Sequence, residues 1–322
     1  MLKKSLYKSI AILLLSYSLA NAQDNILYQN LQDVSVTVKA GFSEGSGVII
    51  TRDVRVAPNK TEKICFVWTA GHVVDGLRSV RTIIRDGQQK KIVEFKDAQI
   101  VKEFTQDGRR VGELKMDCKV LKYSDAEDGE DLALLMIRQK GFLDKSAVFH
   151  LPVEDKPVPI GTELYHVGSL LGQTGSNSMT RGIMSQVGRV LNLGTGDGVV
   201  FDQTTVTAFP GSSGGGVFLS EQSKDHAGEY VGMLVRGAGE TFNLIVPVRR
   251  MKKWAKEEGI LWAIDASVEV PTLSDIIKSP VEGGNISTTS PDKEKKSSGD
   301  AAKFPTLIQI EKERTIIPIL KD

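Results

Sequence analysis

Three residues whose side chains can act together in nucleophilic catalysis stand far apart in this chain. His72 ends an apolar stretch, Asp131 precedes another, and Ser213 lies among glycines. A serine hydroxyl is a poor nucleophile near neutral pH, so it needs a base to take its proton and a carboxylate to orient that base. The chain offers all three groups, in the order His, Asp, Ser.

The serine stretch, residues 209–218, reads F-P-G-S-S-G-G-G-V-F. Glycine permits positive φ angles and close backbone approach. A nucleophilic serine needs an accessible hydroxyl and neighbouring N–H groups that bind a developing oxyanion. A simple glycine–serine turn between two strands is the alternative for this short pattern alone. The histidine and aspartate stretches favour the catalytic interpretation.

The glycine-rich stretch contains two adjacent serines. In the register G-x-S-G-G, the serine before Gly214 is Ser213, and Ser212 occupies the variable position. We therefore predict Ser213 as the nucleophile, with Ser212 as the alternative. The main-chain N–H groups of Gly211 and Ser213 would then form the oxyanion hole.

Four motifs carry a family resemblance: T-A-G-H at 69–72, D-L-A-L-L at 131–135, V-G-S-L-L-G at 167–172 and P-G-S-S-G-G at 210–215. Together they resemble the chymotrypsin-fold serine peptidases, and in particular the bacterial Deg/HtrA-like branch. The likeness covers about residues 34–255. It implies hydrolysis of a protein or peptide substrate through an acyl-enzyme, with no cofactor.

Two other functions use similar residues. A catalytically silent homologue would keep the three residues and act as a binding or scaffold protein, and it remains the alternative to an active endopeptidase. An esterase would normally carry a G-x-S-x-G motif and the order Ser, Asp, His. The order in this chain is His, Asp, Ser instead, which disfavours the esterase interpretation.

The resemblance also implies a substrate pocket. Thr207, six residues before the predicted nucleophile, would lie at its base. Val235, Arg236 and Gly237 would form one wall and the edge on which a substrate pairs as an added strand. Phe242 would lie on the opposite wall. Thr207 is not acidic and the opposite segment holds no histidine, so we expect cleavage after small or medium apolar residues.

The elements that must position these residues read as short strands with period-two alternation, beginning at Val34. Further candidate strands lie at about 79–85, 90–95, 98–104, 113–123 and 132–138, with a second series from 161 to 248. The pattern predicts an all-β protein in two halves. The resemblance implies two six-stranded antiparallel barrels, at about 30–145 and 146–248, with the site between them.

Beyond the second series, Met251, Trp254 and Ala255 recur at helical spacing, which predicts a closing helix at 249–258. The peptidase domain would then occupy residues 23–260. We expect residues 261–322 to be a largely flexible extension, with no room for the PDZ domain of many Deg-type proteins.

Residues 1–22 resemble a signal peptide, with lysines, an apolar run and an A-N-A cleavage site. An uncleaved anchor is the alternative, but the run is short for a bilayer core of about 30 Å. We expect a periplasmic or secreted protein without stable membrane insertion after cleavage. The net charge of +1 gives no argument for a nucleic-acid partner.

Three sets of potential metal ligands or cross-linking residues remain. Cys65 and Cys118 are the only cysteines, and they form either a disulfide or two buried thiols. The acidic run 125–130 suggests calcium or, alternatively, a solvated surface. The four histidines show no metal-ligand spacing, so we predict no metal site.

Overall fold

The computed structural model describes residues 26–85, 88–106, 109–127, 129–191, 198–237 and 241–282. The predicted signal peptide and most of the C-terminal extension lie outside these residues.

The first half of the chain forms a closed antiparallel barrel with strand order β1-β2-β3-β8-β7-β6. Its strands, together with the separate β4–β5 hairpin, are β1 (Ser35–Ala40), β2 (Ser43–Ala57), β3 (Lys60–Thr69), β4 (Arg78–Arg85), β5 (Gln88–Phe95), β6 (Ala98–Gln106), β7 (Arg109–Ser124) and β8 (Leu132–Ile137). All six residues of β8 are buried, which fits their apolar sequence L-A-L-L-M-I. The site residue Asp131 directly precedes this buried strand.

The second half forms another closed barrel, with strand order β10-β11-β14-β13-β12-β9. Its strands are β9 (Glu163–Leu170), β10 (Gly175–Leu191), β11 (Val199–Thr204), β12 (Gly216–Leu219), β13 (Tyr230–Gly237) and β14 (Asn243–Pro247). The predicted fold class, two six-stranded antiparallel barrels, is confirmed.

Within the residues that the structure describes, four short α-helices accompany the barrels: α1 (26–33), α2 (Gly71–Val74), α3 (Val248–Glu257) and α4 (Leu273–Lys278). Helix α3 is the predicted closing helix. Its buried face includes Met251, Trp254 and Ala255, and the Trp254 ring packs edge-on against Trp68 of the first barrel. The helix therefore ties the two halves together.

The C-terminal extension begins with an ordered section, contrary to the expectation of flexibility from residue 261 onward. The Trp262 ring packs edge-to-face on Phe66, with ring centroids 4.8 Å apart. The Tyr123 N–H donates to the Val281 carbonyl at 2.9 Å. Apolar side chains that pack on the first barrel thus hold residues 261–282 in place, a role that their composition alone does not reveal.

Both cysteines are free thiols buried in the first barrel. Cys118 on β7 pairs with Ile137 on β8, and the β3–β8 register places Cys65 on the other side of Ile137. Two strand spacings, roughly 9–10 Å, separate the cysteines. That distance exceeds the reach of a disulfide, so the interpretation as two buried thiols is correct.

No helix within the described ranges has the length and apolar character needed to span a lipid bilayer.

Candidate active site

A buried carboxylate forms hydrogen bonds with both the ring and the main chain of His72. The His72 Nδ1 lies 3.0 Å from each carboxylate oxygen of Asp131, and the His72 main-chain N–H donates to Oδ1, also at 3.0 Å. The Asp131 side chain is 2% exposed and that of His72 is 38% exposed. One side of the imidazole is therefore fixed by a carboxylate while another remains open to solvent.

The electrostatics favour an ionised Asp131. Burial alone would raise the pKa of its carboxyl, but the hydrogen bonds and charge of His72, helped by Arg236, outweigh burial and lower that pKa. An ionised carboxylate only accepts hydrogen bonds, so it selects the His72 tautomer with hydrogen on Nδ1. The Nε2 atom then carries a lone pair that can take a proton.

The backbone at Asp131 is left-handed, with φ of 56°, a conformation that aspartate tolerates better than most residues. Its N–H donates to the Asp125 carbonyl at 3.0 Å. Arg250 of α3 forms an ion pair with the Glu130 carboxylate and donates to the Glu130 carbonyl at 3.2 Å. A helix that follows the second barrel thus anchors the loop that presents Asp131 from the first.

The turn that carries Ser213 depends on two glycines. Gly211 and Gly214 have φ angles of 93° and 86°. A Cβ on Gly211 would overlap the Ser169 carbonyl oxygen, and one on Gly214 would overlap that of Ser46. Both positions therefore need glycine, for conformation and for space.

Ser46 of the first barrel fixes this turn. Its N–H donates to the Ser213 carbonyl at 2.7 Å, and its hydroxyl donates to the Gly211 carbonyl at 2.7 Å. The same hydroxyl accepts from the Ser169 N–H, again at 2.7 Å. One fully buried serine consequently holds the glycine-rich turn against β2 and β9.

The turn lies beside the segment that bears His72. A Cβ on Gly214 would lie 3.0 Å from the Ala70 nitrogen, two residues before His72. The Ser213 hydroxyl forms no hydrogen bond with His72 or with any other described residue. Within the same ranges, the N–H groups of Gly211 and Ser213 also lack acceptors.

The neighbouring Ser212 is placed differently from Ser213. Its side chain is buried, and its Oγ accepts a hydrogen bond from the Phe209 N–H at 3.1 Å. Ser213 is only half-buried. The Ser212 hydroxyl therefore forms its hydrogen bond within the turn itself.

His166 of β9 packs behind the turn. Its Nδ1–H donates to the Gly216 carbonyl at 3.0 Å. Complete burial lowers the pKa of its imidazole to about 4, so the ring is neutral at physiological pH. It is a packed residue, and its ring supports the strand that follows Ser213.

Three of the predicted pocket residues lie in sequence on β13. Val235 is buried, and Gly237 is exposed at the end of the strand. The Arg236 guanidinium extends to the first barrel, where Nη2 donates to the Ala126 carbonyl at 2.8 Å. The Arg236 side chain therefore serves the loop that presents Asp131, whereas its backbone remains on the predicted substrate edge.

The other two predicted pocket residues lie on segments that flank β11 and β14. Thr207 is half-buried, and its carbonyl accepts from the Thr180 hydroxyl at 3.1 Å. The Phe242 ring lies beneath the Arg189 guanidinium, 5.1 Å from the ring centroid. Thr207 is thus held to β10, and the ring of Phe242 is covered on one face.

Asn243, the first residue of β14, is fully buried and pairs with Gly237, the last residue of β13. Its Nδ2 donates to the Val206 carbonyl at 2.7 Å, and a Cβ on Gly237 would overlap its Oδ1. The carboxamide therefore occupies the space beneath Gly237.

Comparison with known proteins agrees with this architecture. The family model of the trypsin-like peptidase domain matches residues 45–233, which include the segments of all three predicted catalytic residues. The chain belongs to the trypsin-like peptidase family. The predicted resemblance to chymotrypsin-fold peptidases of the Deg/HtrA-like branch is confirmed.

Individual relatives of this trypsin-like peptidase are distant. A serine protease Do-like HtrA of Lactobacillus helveticus is 23% identical over 238 residues, which cover 74% of this chain and 44% of that protein. The chain thus spans less than half the length of this relative. The crystal structure of Deg5 has 19% identity and a TM-score of 0.49, covering 76% of this chain and 98% of Deg5. The crystal structure of the inactive form of the Rv3671c protease has 14% identity and a TM-score of 0.45. The match covers 71% of this chain and 91% of the Rv3671c chain.

Sequence reasoning singled out neither Ser46, Arg250 nor Asn243 in this trypsin-like peptidase. Ser46 carried a weak signal, because it stands between two glycines where barrels approach closely. In the sequence, Arg250 is one of several charged residues in a helical pattern, and Asn243 is one residue of an apolar strand pattern. Their roles depend on contacts with distant segments, which no local pattern encodes.

Proposed function

We propose that this trypsin-like peptidase is an exported serine endopeptidase that hydrolyses peptide bonds through an acyl-enzyme. The observation that carries this proposal is the buried Asp131 carboxylate, which holds both the ring and the backbone of His72. Such a pair prepares Nε2 of His72 as a general base.

In the proposed reaction, the Ser213 Oγ attacks the scissile carbonyl carbon while its proton passes to His72 Nε2. Asp131 stabilises the resulting imidazolium. The N–H groups of Gly211 and Ser213 bind the oxyanion. His72 then protonates the leaving amine, and the acyl-enzyme forms. Water, deprotonated by His72, attacks the ester and releases the acid and the free serine.

The missing hydrogen bond between Ser213 and His72 is compatible with this role, because catalytic hydrogen bonds are often long in ligand-free structures and shorten when substrate binds. The half-buried position of Ser213 and the committed hydroxyl of Ser212 support Ser213 as the nucleophile.

For specificity, we propose cleavage after small or medium apolar residues. The buried Asn243 carboxamide supports this preference because it takes up space beneath Gly237, where a large substrate side chain would have to enter. Thr207, at the base of the predicted pocket, is neutral and offers no negative charge to a basic substrate side chain.

Export rests on residues 1–22, whose composition is typical of a signal peptide. The expected mature chain begins at Gln23. Amino-terminal sequencing of the protein recovered from the periplasm or medium tests this, and a chain that still begins at Met1 would contradict it.

Labelling with a fluorophosphonate probe tests the catalytic proposal. We expect the wild-type chain to be labelled at Ser213 and Ser213→Ala to lose both the label and about 10⁶-fold in turnover. The matched control is Ser212→Ala, which removes the adjacent hydroxyl and should keep the label. A folded wild-type chain that stays unlabelled and cleaves no peptide in a library would instead indicate the silent homologue.

A further inference from the structure

Three potential metal ligands converge outside the candidate active site. His150 lies in the connection between the barrels, whereas His226 and Glu229 lie in the turn from β12 to β13. One ligand atom from each residue lies within 4.8 Å of the other two. The spacing along the chain hides this cluster, because 76 positions separate the two histidines.

The backbone holds His150 in place. The His150 N–H donates to the Tyr230 carbonyl at 2.9 Å, and the Tyr230 N–H donates to the Val148 carbonyl at 2.7 Å. Tyr230 directly follows Glu229, so the connection and the turn are locked together at the cluster. The Glu229 N–H also donates to the His226 carbonyl at 3.1 Å. These contacts hold the backbone at all three residues in place without any ligand.

Both imidazoles turn the same nitrogen toward one carboxylate. The His150 Nδ1 lies 2.6 Å from Glu229 Oε2, and the His226 Nδ1 lies 3.1 Å from both oxygens. The two rings meet edge to face, with centroids 5.4 Å apart. When the ring hydrogens reside on Nε2 instead, both Nδ1 atoms carry a lone pair that can bind an ion beside the carboxylate.

We propose that His150, His226 and Glu229 form a binding site for a divalent transition metal ion of the zinc class. Two imidazoles and one carboxylate are a ligand set typical of such ions, and they leave a fourth tetrahedral position for water. Ligands about 2.0–2.1 Å from a tetrahedral ion are separated by roughly 3.3–3.4 Å. Each histidine–carboxylate distance reaches that spacing if the side chains move apart by less than an ångström from their hydrogen-bonded positions, and the ligand atoms of the two histidines lie within 4.8 Å of each other.

An ion at this site would cross-link the inter-barrel connection to the start of β13. Its effect would therefore be on the stability of the second barrel, separate from the chemistry at Ser213. The exposure of the three side chains (18% for His150, 61% for His226 and 21% for Glu229) gives an ion access from solvent.

The test is a titration of the full chain, without a histidine tag, with Zn²⁺ by calorimetry and with Co²⁺ by visible absorption. The Ser213→Ala background prevents self-digestion. We expect one ion per chain and a rise in Tm with Zn²⁺. His226→Ala should lower the affinity by at least about 100-fold, since even indirect partners of metal ligands contribute 10–100-fold.

His226 is the best first variant because its exposed side chain can be removed without disturbing the core. Asp225→Asn is the matched control, since it removes a neighbouring exposed carboxylate outside the cluster, and it should bind as the parent does. His72→Ala should also keep the ion, which distinguishes this site from the candidate catalytic histidine.

The proposal is overturned if the folded parent chain binds no Zn²⁺ at millimolar concentration, or if His226→Ala and Glu229→Gln bind it as the parent does. Loss of binding in His72→Ala, with binding kept in His226→Ala, would also overturn it. None of these readouts depends on peptidase activity.

Discussion

Among the described residues, two histidine–carboxylate groups use the same kinds of atoms in different surroundings. In both, an imidazole Nδ1 faces a carboxylate at hydrogen-bonding distance. Asp131 is 2% exposed and binds one ring plus a main-chain N–H. Glu229 is 21% exposed and is shared by two rings. The number of rings and the degree of burial therefore distinguish the two groups.

This difference has a physical consequence. A buried carboxylate that accepts hydrogen bonds from both the ring and the main-chain N–H of one histidine allows that ring a single orientation and tautomer. A general base requires both. A half-exposed carboxylate between two imidazoles leaves both rings able to change tautomer, which metal ligation requires. The first group is suited to proton transfer and the second to binding an ion.

The largest effect is expected from a substitution in the first group, which pairs His72 with Asp131. Asp131→Asn should lower kcat by about 10⁴-fold, because the amide favours the wrong His72 tautomer. Asparagine also tolerates the left-handed backbone of this position. Steady-state kinetics on a peptide substrate, combined with a circular dichroism spectrum that matches the wild type, check this result.

Glu229→Gln is the matched control for the second group, and kcat should stay within about twofold of wild type, because the change is small and on the surface. If both amide variants lowered kcat equally, the division of roles between the two groups would be wrong.

Arg250→Met should have the next largest effect, because Arg250 anchors the loop that presents Asp131. A displaced carboxylate should lower kcat between about 10- and 100-fold, with little change in KM. Arg249→Met is the control on the same helix, since Arg249 pairs at 2.6 Å with Asp202, a residue of the second barrel. It should lower Tm but leave kcat, and an equal loss of kcat in both variants would show that only general stability matters.

Much of the fold was predictable because local patterns encode it. The alternating strands, the fully apolar β8 and the glycine-rich turn around Ser213 depend on residues adjacent in sequence. The family motifs added the two-barrel arrangement. His72 and Asp131 do meet as expected, since each stands at the end of a strand of the same barrel.

The rest depended on long-range contacts. The packing of Trp262 on Phe66 orders a segment that by composition resembled an extension. The cluster around Glu229 joins a histidine of the connection to one of a turn. Hydrogen bonds and ring contacts between distant segments leave no periodic signal in the sequence, so the spacing of residues along the chain does not reveal them.

Asn243→Ala should change specificity more than rate. Removing the carboxamide should deepen the pocket and raise the ratio of kcat/KM for phenylalanine over alanine before the cut by about 10- to 200-fold. Loss of the buried hydrogen bond to Val206 should cost about 1–3 kcal/mol of stability. Ser35→Ala removes a buried hydrogen bond in the first half of the molecule, from the Ser35 hydroxyl to the Leu31 carbonyl, and should leave the ratio unchanged. An unchanged ratio in Asn243→Ala would contradict the proposed pocket.

The smallest expected effect concerns stability in acid. Because the pKa of Asp131 is lowered in the folded chain, its contribution is fully present above its unfolded pKa of about 3.9 and is lost as pH falls through the lower folded value. Below about pH 4, the unfolding free energy of the Ser213→Ala chain should therefore fall more steeply than that of the same chain with Asp131→Asn. Urea unfolding between pH 5 and pH 2.5 measures both slopes. Parallel slopes would mean that His72 does not hold the Asp131 carboxylate in its ionised form.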